Sequence, residues 1–445
     1  MKHKLIFSTL MSLLISGSVL IAQETKSELN LSLKEAQEYA LQHNRMVISS
    51  KLDVEASKQS LWEAISAGLP QISGNAGLTD NVKLGVVLIP DFFSGHPENK
   101  IALTMGSKYN TSFSLQATMP LFNAPYYIGV ETVKLAKMMA ETNVKNTELD
   151  TREAVASAYY LILISEESPK ILDGNLNNLR ETLKSTKAMY SAGMAESTDV
   201  DQMVSNVTMV QNSRSSLERT VELNYNLLRF QLGVTANTKI TLTETLDALT
   251  QNINIEALLL DEFNYNNNLT YKLIEGQEQI SALNLKSQKA LVLPVLAGVY
   301  STSRTGQGEK FSTIEWFNSS LVGLQLSVPI LGSGMRYAKI RKAQINLENA
   351  RTTKEMVTDQ LLLQEKQLRY NLVNANLQYK SQKENIDVAK RVYASMENKF
   401  RQGVASSLDL TQANSLYLQA ENNYVSALMN LLQTKLALDK LLNNI

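Results

Sequence analysis

Two acidic residues, Asp199 and Asp409, stand out as side chains that could do chemistry by charge. Each follows a glycine, Gly193 or Gly403, by six positions. Little else is available for catalysis. There is no cysteine, so disulfides, thiolate nucleophiles, cysteine-held metals and lipid attachment to an N-terminal cysteine are all excluded. The histidines are His3, His43 and His96, and 53 positions separate the last two. That spacing gives no basis for a histidine metal site or a catalytic triad within one chain. Gly306-Gln-Gly308 reads as a loop rather than a phosphate cradle, because no helix-opening Lys-Ser/Thr follows it. The remaining acids read as solvated helix faces. An enzyme, a resident metal and a cofactor are therefore not expected. From position alone, Asp199 and Asp409 read as helix-start acids favoured by the macrodipole.

The start of the chain has a short basic stretch, Lys2, His3 and Lys4, then an uncharged, apolar or small run from Leu5 to Ala22. This order reads as a secretory signal peptide, residues 1–22, cut near Ala22–Gln23. A membrane anchor helix is the alternative, and the interruptions at Ser8, Thr9, Ser12, Ser16, Gly17 and Ser18 disfavour it. Leu20 is larger than the usual residue two places before a cut. Removal of residues 1–22 takes away Lys2 and Lys4 and no acid, which leaves 41 Lys+Arg against 43 Asp+Glu, a net charge of −2. This balance gives no reason to expect nucleic acid as a partner. Beyond residue 22 no apolar run is long enough to span a bilayer as a helix. An exported chain of this kind is either soluble or a β-barrel.

The elements that position the two acids come from a unit written twice. Tyr190-Ser-Ala-Gly-Met-Ala-Glu-Ser-Thr-Asp-Val-Asp-Gln202 recurs as Phe400-Arg-Gln-Gly-Val-Ala-Ser-Ser-Leu-Asp-Leu-Thr-Gln412, an offset of 210. Met119-Pro-Leu-Phe122 recurs as Val328-Pro-Ile-Leu331, and Leu69-Pro70 as Leu293-Pro294. The repeats span residues 29–233 and 256–443. The interval Pro70–Pro120 is 15 residues longer than Pro294–Pro329, so residues 80–108 are expected to form an extended loop carrying Phe92 and Phe93.

Each half holds a Pro-bounded strand hairpin, about residues 71–121 and 294–330. Apolar residues alternate from Tyr109 through Phe113, Leu115, Ala117 and Met119 to Leu121, with Ser112, Ser114, Gln116 and Thr118 between them. Val322, Leu324, Leu326, Val328 and Ile330 share one parity in the second half. Period two with one polar face predicts strands of a sheet with one face away from water. Residues 125–192 contain a single proline, Pro169, and 335–402 contain none. As continuous helices each would reach about 100 Å at 1.5 Å per residue. Their narrow apolar stripes predict helix-on-helix packing.

Two hairpins supply four strands per chain, too few to close a barrel. Open edges cannot face lipid. Three chains sharing strands would give twelve, an even number within the range of outer-membrane barrels. The expected fold is mainly α with a β-barrel part: a trimer with a shared 12-stranded barrel and long coiled-coil helices.

Leu33-Lys-Glu-Ala36, Leu-Pro before each hairpin, the Met-Pro-Leu-Phe and Val-Pro-Ile-Leu strand ends and the paired glycine turns resemble the TolC family of outer-membrane efflux proteins. The resemblance covers residues 29–443. It implies a homotrimer with a β-barrel in the outer membrane and an α-helical barrel in the periplasm. It also implies partners: a periplasmic adaptor (membrane fusion protein), an inner-membrane RND or ABC transporter, and outer-membrane lipid. The implied role is a passive exit duct of a tripartite efflux system. The alternatives are a type I protein-secretion channel and a soluble periplasmic coiled-coil scaffold.

By the same resemblance, the Gly193 and Gly403 turns are adaptor-docking tips. Asp409 belongs to an acidic constriction whose second acid is Gln412 here. Thr198 and Asp199 help tie the closed gate, with partners that correspond to Phe400 and Ala405 in this chain. Arg401 is a candidate substitute partner. Trp62, Tyr126, Tyr127, Trp316 and Phe317 flank the strands, and Trp316 and Phe317 are expected to mark the membrane boundary.

Overall fold

The computed structural model describes residues 28–91, 96–251 and 255–445. The expected signal peptide, and Phe92 and Phe93, lie outside the described residues. Two compact units emerge, each built from both halves of the sequence. One takes Thr151–Asn254, Ala375–Gln433 and the described residues up to Asn44; the other takes Arg45–Asp150, Ile255–Asn374 and Thr434–Ile445.

The first unit begins with β1 (Glu28–Leu31) and α1 (Leu33–His43). Ser32 starts α1 through a reciprocal capping box with Glu35. The Ser32 amide donates to Glu35 Oε2 at 2.8 Å, and the Glu35 amide donates to Ser32 Oγ at 3.3 Å. β1 pairs in parallel with a later strand, β6 (Lys239–Leu242), in the register Leu29↔Ile240 and Leu31↔Leu242. These residues close an apolar cluster with Ala36, Ala40, Tyr159, Ile162, Leu228 and Leu232. The alternation in ELNL and KITL is the sequence signal for this small sheet.

The second unit holds α2 (Arg45–Ser66) and the strands β2 (Gln71–Asp80), β3 (Gly85–Asp91), β4 (His96–Met105) and β5 (Tyr109–Phe122). It also holds β7 (Val295–Gly308) and β8 (Glu315–Ser327). One antiparallel sheet runs in the order β2-β5-β7-β8, so the first-half hairpin adds to the second-half hairpin through β5 and β7. Tyr126 locks the entry to this sheet. Its hydroxyl donates to the Ile65 carbonyl at 3.0 Å, and a Cβ on Gly68 would lie 2.4 Å from the ring. Trp62 is exposed.

Two sequence expectations change here. The extra residues between Pro70 and Pro120 are not an extended loop, because β3 and β4 pair antiparallel from Gly85↔Met105 to Asp91↔His96. The β-rich run Val86–Ile89 opposite Ile101–Leu103 accounts for the ladder. Gly306-Gln-Gly308 is not a loop but the end of β7, paired to Trp316 and Glu315.

The helices that carry the repeat are α3 (Ala124–Ser191), α4 (Ser197–Leu232), α8 (Met335–Arg401) and α9 (Ser407–Leu442). Between them lie α5 (Leu246–Gln251), α6 (Ile255–Leu260) and α7 (Leu269–Ala290). α3 and α8 are unbroken over 68 and 67 residues, about 100 Å each. Pro169 sits inside α3 and forfeits one backbone bond there without ending the helix. Among the described residues, no helix is long and apolar enough to cross a membrane.

Candidate functional site

The two predicted turns are built alike. α3 ends with Gly193 at φ 72°, the Met194 amide reaching back to the Met189 carbonyl at 2.8 Å. α8 ends with Gly403 at φ 72°, and Val404 reaches Lys399 at 2.9 Å. These are Schellman closures, which need a left-handed residue. A Cβ at either glycine would meet nothing within 4 Å, so conformation rather than crowding selects glycine there. Tyr190, Met194, Val404 and Leu408 leave large apolar side chains exposed at these turns.

Both acids sit in the first turn of the returning helix. Asp409 is exposed and closes a capping box with Ser406: its Oδ2 accepts from the Ser406 amide at 3.0 Å and hydroxyl at 2.7 Å. The hydroxyl bond and then the amide hold the Asp409 carboxyl below its ordinary range. Gln412 is exposed one turn later.

Asp199 does more than cap. Its Oδ2 accepts from the Glu196 amide at 3.0 Å, and its Oδ1 accepts from the Ser407 hydroxyl at the start of α9. The Ser407 bond is the leading cause of a lowered Asp199 pKa. Gln202 Oε1 lies 3.0 Å from the same hydroxyl, and Ser407 is buried. The tie therefore joins the helix starts of the two repeats. Below it, Asn206 donates to the Thr411 hydroxyl at 2.8 Å and Asn175 to Asn414 Oδ1 at 2.7 Å.

The other expected gate residues make local contacts. Thr198 is exposed and donates to Glu196 within its own turn. Phe400 is buried with Met203, Tyr393, Leu410, Ala413 and Tyr417, and Ala405 packs against that cluster. Arg401 has a partner within its own helix. It pairs with Glu397 at 2.7 Å one turn back on α8, the spacing at which helix side chains meet. Ser407 is the residue that sequence reasoning missed. It falls one position after the Ser406 cap, and only packing distinguishes the two.

Glu421, on α9, is buried, and one of its carboxylate oxygens has no hydrogen-bond partner among the described residues. Burial pushes its pKa up to about 7. It borders a groove with Ser168, Leu172, Ser213, Ser216 and Leu217.

The sheet is the other candidate site. It ends in β2 on one side and β8 on the other. Every residue of β2 and β8 is exposed. Directly opposed residues of antiparallel strands share a face. The pairings Ala117↔Tyr300↔Val322 and Met119↔Gly298↔Leu324 thus lie on one apolar face, and Gln116↔Ser301 and Ser114↔Ser303↔Ser319 on the other. Val322, Leu324 and Leu326 are 85, 74 and 63% exposed, so nothing among the described residues covers the apolar face.

Trp316 pairs with Gly306 on that apolar face and stacks on Phe113 at 5.8 Å. Phe317 pairs with Thr305, opposite Ser112, on the polar face. Trp316 and Phe317, both expected at the membrane boundary, therefore lie on opposite faces of the sheet, because adjacent strand residues point to opposite sides.

The sequence pattern of the family described as outer membrane efflux protein matches residues 37–234 and 278–444, most of the chain. The chain belongs to this family. The chain is 23% identical over 461 aligned positions to the outer membrane protein TolC of Salmonella enteritidis, covering 99% of this chain and 87% of TolC. It is 20% identical over 249 residues to the proteases secretion protein PrtF of Dickeya chrysanthemi, covering 56% of this chain and only 54% of that relative. Its fold matches the solved structure of CusC at a TM-score of 0.73 and 14% identity, covering 93% of this chain and 92% of that one. This member of the family is thus an outer-membrane channel component with a TolC-like fold that extends into the periplasm. Among the described residues, no group of three metal-ligating side chains converges.

Proposed function

We propose that this efflux protein works as a homotrimeric exit duct for substrates delivered by an inner-membrane pump and a periplasmic adaptor. The observation that carries the reading is the open four-stranded sheet, with an apolar face exposed and the outer edges of β2 and β8 unpaired among the described residues. Unpaired strand edges cannot face hydrocarbon, so neighbouring copies must complete the ladder, and three copies make twelve strands. Trp316 and Leu326 are ten residues apart on β8, about 33 Å along a strand and about 25 Å at a tilt near 40°, the height of a lipid-facing band.

In this reading the Gly193 and Gly403 turns, with exposed Tyr190, Met194, Val404 and Leu408, form the adaptor-docking tips. Asp409 lines the periplasmic constriction in three copies, and Gln412 leaves a second ring uncharged. Closure rests on the Asp199–Ser407 tie and the packing around Phe400. Thr198 and Arg401 act within their own helices. The partial match to a protease-secretion protein supports a second reading, in which the cargo is a protein.

The test is single-channel conductance in planar bilayers with a trivalent cation. Asp409→Asn keeps an acceptor for Ser406 and removes only the charge. Block of the parent that weakens at least severalfold in the variant is the expected result. No conducting steps, or block unchanged by Asp409→Asn, would refute the duct or the ring respectively.

A further inference from the structure

We infer that the apolar face of the sheet, around Arg304, seats the phosphate of a glycolipid headgroup in the outer leaflet. The inference rests on the reading above that this face meets lipid. Its position is specific. Arg304 is paired with Asn318, two pairs inward from, and on the same face as, Gly306 and Trp316 at the strand ends farthest from the helices. Its guanidinium lies over the Trp316 ring at 4.9 Å, and that ring stacks on Phe113. The side chain is exposed, and among the described residues it makes no ion pair.

A cation on a lipid-facing surface is expensive unless an anion or headgroup water meets it. Aromatic rings at this level fix the depth of the boundary. The ring also orients the guanidinium, whose planar fork suits two phosphate oxygens at once. Neutral donors flank it on the same face. Thr302 opposes Ser320 with hydroxyl oxygens 2.9 Å apart, and Asn318 lies across from Arg304. These residues line a shallow groove with Leu115. A second cation repeats the arrangement farther out, Lys108 standing over the Tyr109 ring at 5.2 Å. An acyl chain would lie along Leu115 and Tyr300, with the phosphate at Arg304. The partner that fits is a phosphorylated, lipid A-type glycolipid.

The chain has two tryptophans, and Trp62 is exposed on α2. Trp62→Phe therefore makes Trp316 a local reporter. Purified protein in nanodiscs is titrated with diphosphorylated lipid A, with dephosphorylated lipid A, and in detergent with inorganic phosphate. The expected result is a Trp316 emission change at a mole fraction about tenfold lower for the phosphorylated glycolipid, a preference lost in Arg304→Gln. Inorganic phosphate should produce no change at millimolar levels. Equal response to both glycolipids, or a preference retained by Arg304→Gln, overturns the inference. A response to inorganic phosphate reassigns the site to a soluble anion and also overturns it. Brominated acyl chains separate the two levels. Quenching of Trp316 supports the lipid-facing assignment by itself, and absence of quenching refutes that assignment rather than the chemistry of Arg304.

Discussion

Replacing Glu421 with glutamine should make the helical unit more stable at neutral pH and leave it unchanged in acid. Glu421 is buried among α3, α4 and α9, with one oxygen unpartnered. Burial raises its pKa from 4.5 to about 7. The sign follows from linkage: the folded state holds the proton that the unfolded state gives up. Below about pH 4.5 both states are protonated and there is no penalty. As pH rises toward 7, the unfolded carboxyl ionises first and the folded state loses stability. Above 7 the loss is complete. A gap near 2.5 pKa units corresponds to about 3 kcal/mol. For a chain of this size that is a shift of a few °C in Tm. The assay is thermal melting of helical circular dichroism in detergent for parent and Glu421→Gln from pH 4 to 8. The variant should exceed the parent by a few °C at pH 8 and coincide with it near pH 4. Parallel curves over the whole range would refute a buried, unpartnered carboxyl.

Ser407→Ala should remove the tie to Asp199 at a cost of about 1 kcal/mol, since the carboxylate is half-exposed and water can replace the hydroxyl. Because Asp199 is held below its ordinary range, that stability is present above the unfolded pKa of 3.8 and lost as pH falls through the folded value. The acid-induced loss of stability in the parent should shrink in Ser407→Ala, and an unchanged acid limb would contradict the assignment. Gly233→Ala should be far more damaging than Gly193→Ala. Both glycines have φ 72°, but a Cβ at Gly233 would lie 2.2 Å from the His43 carbonyl oxygen, whereas Gly193 faces open space. Melting should show about 1 kcal/mol for Gly193→Ala and several for Gly233→Ala; equal losses would count against the close approach.

Much of the fold was legible because repetition and periodicity survive in one dimension. The offset of 210 placed two identical turns, and both glycines close helices in the same way. Alternation placed β5 and β8, and the scarcity of proline let α3 and α8 run unbroken. The β3–β4 ladder was less legible because Pro90, and a register shift at Pro90/Asp91, interrupt its pattern. The β1–β6 pair joins segments about 210 residues apart, a separation that short-range patterning does not see. The candidate site was legible in place and not in bonding. Asp199 and Asp409 sit where the repeat put them, yet the repeat makes them look equivalent. Packing separates them: Asp409 caps its own helix while Asp199 reaches Ser407 on another. Arg401 has its partner Glu397 on its own helix, a pairing the repeat does not display. Composition, without register, does not assign Phe317 a face.

The central claim is that copies of this chain complete one another's sheet. The most direct test is the mass of the purified protein in mild detergent, with strand content measured on the same sample. A mass three times that of the single chain, which is 49.5 kDa for the full sequence, with the strands intact, is predicted. A stable monomer that keeps its strands would contradict it.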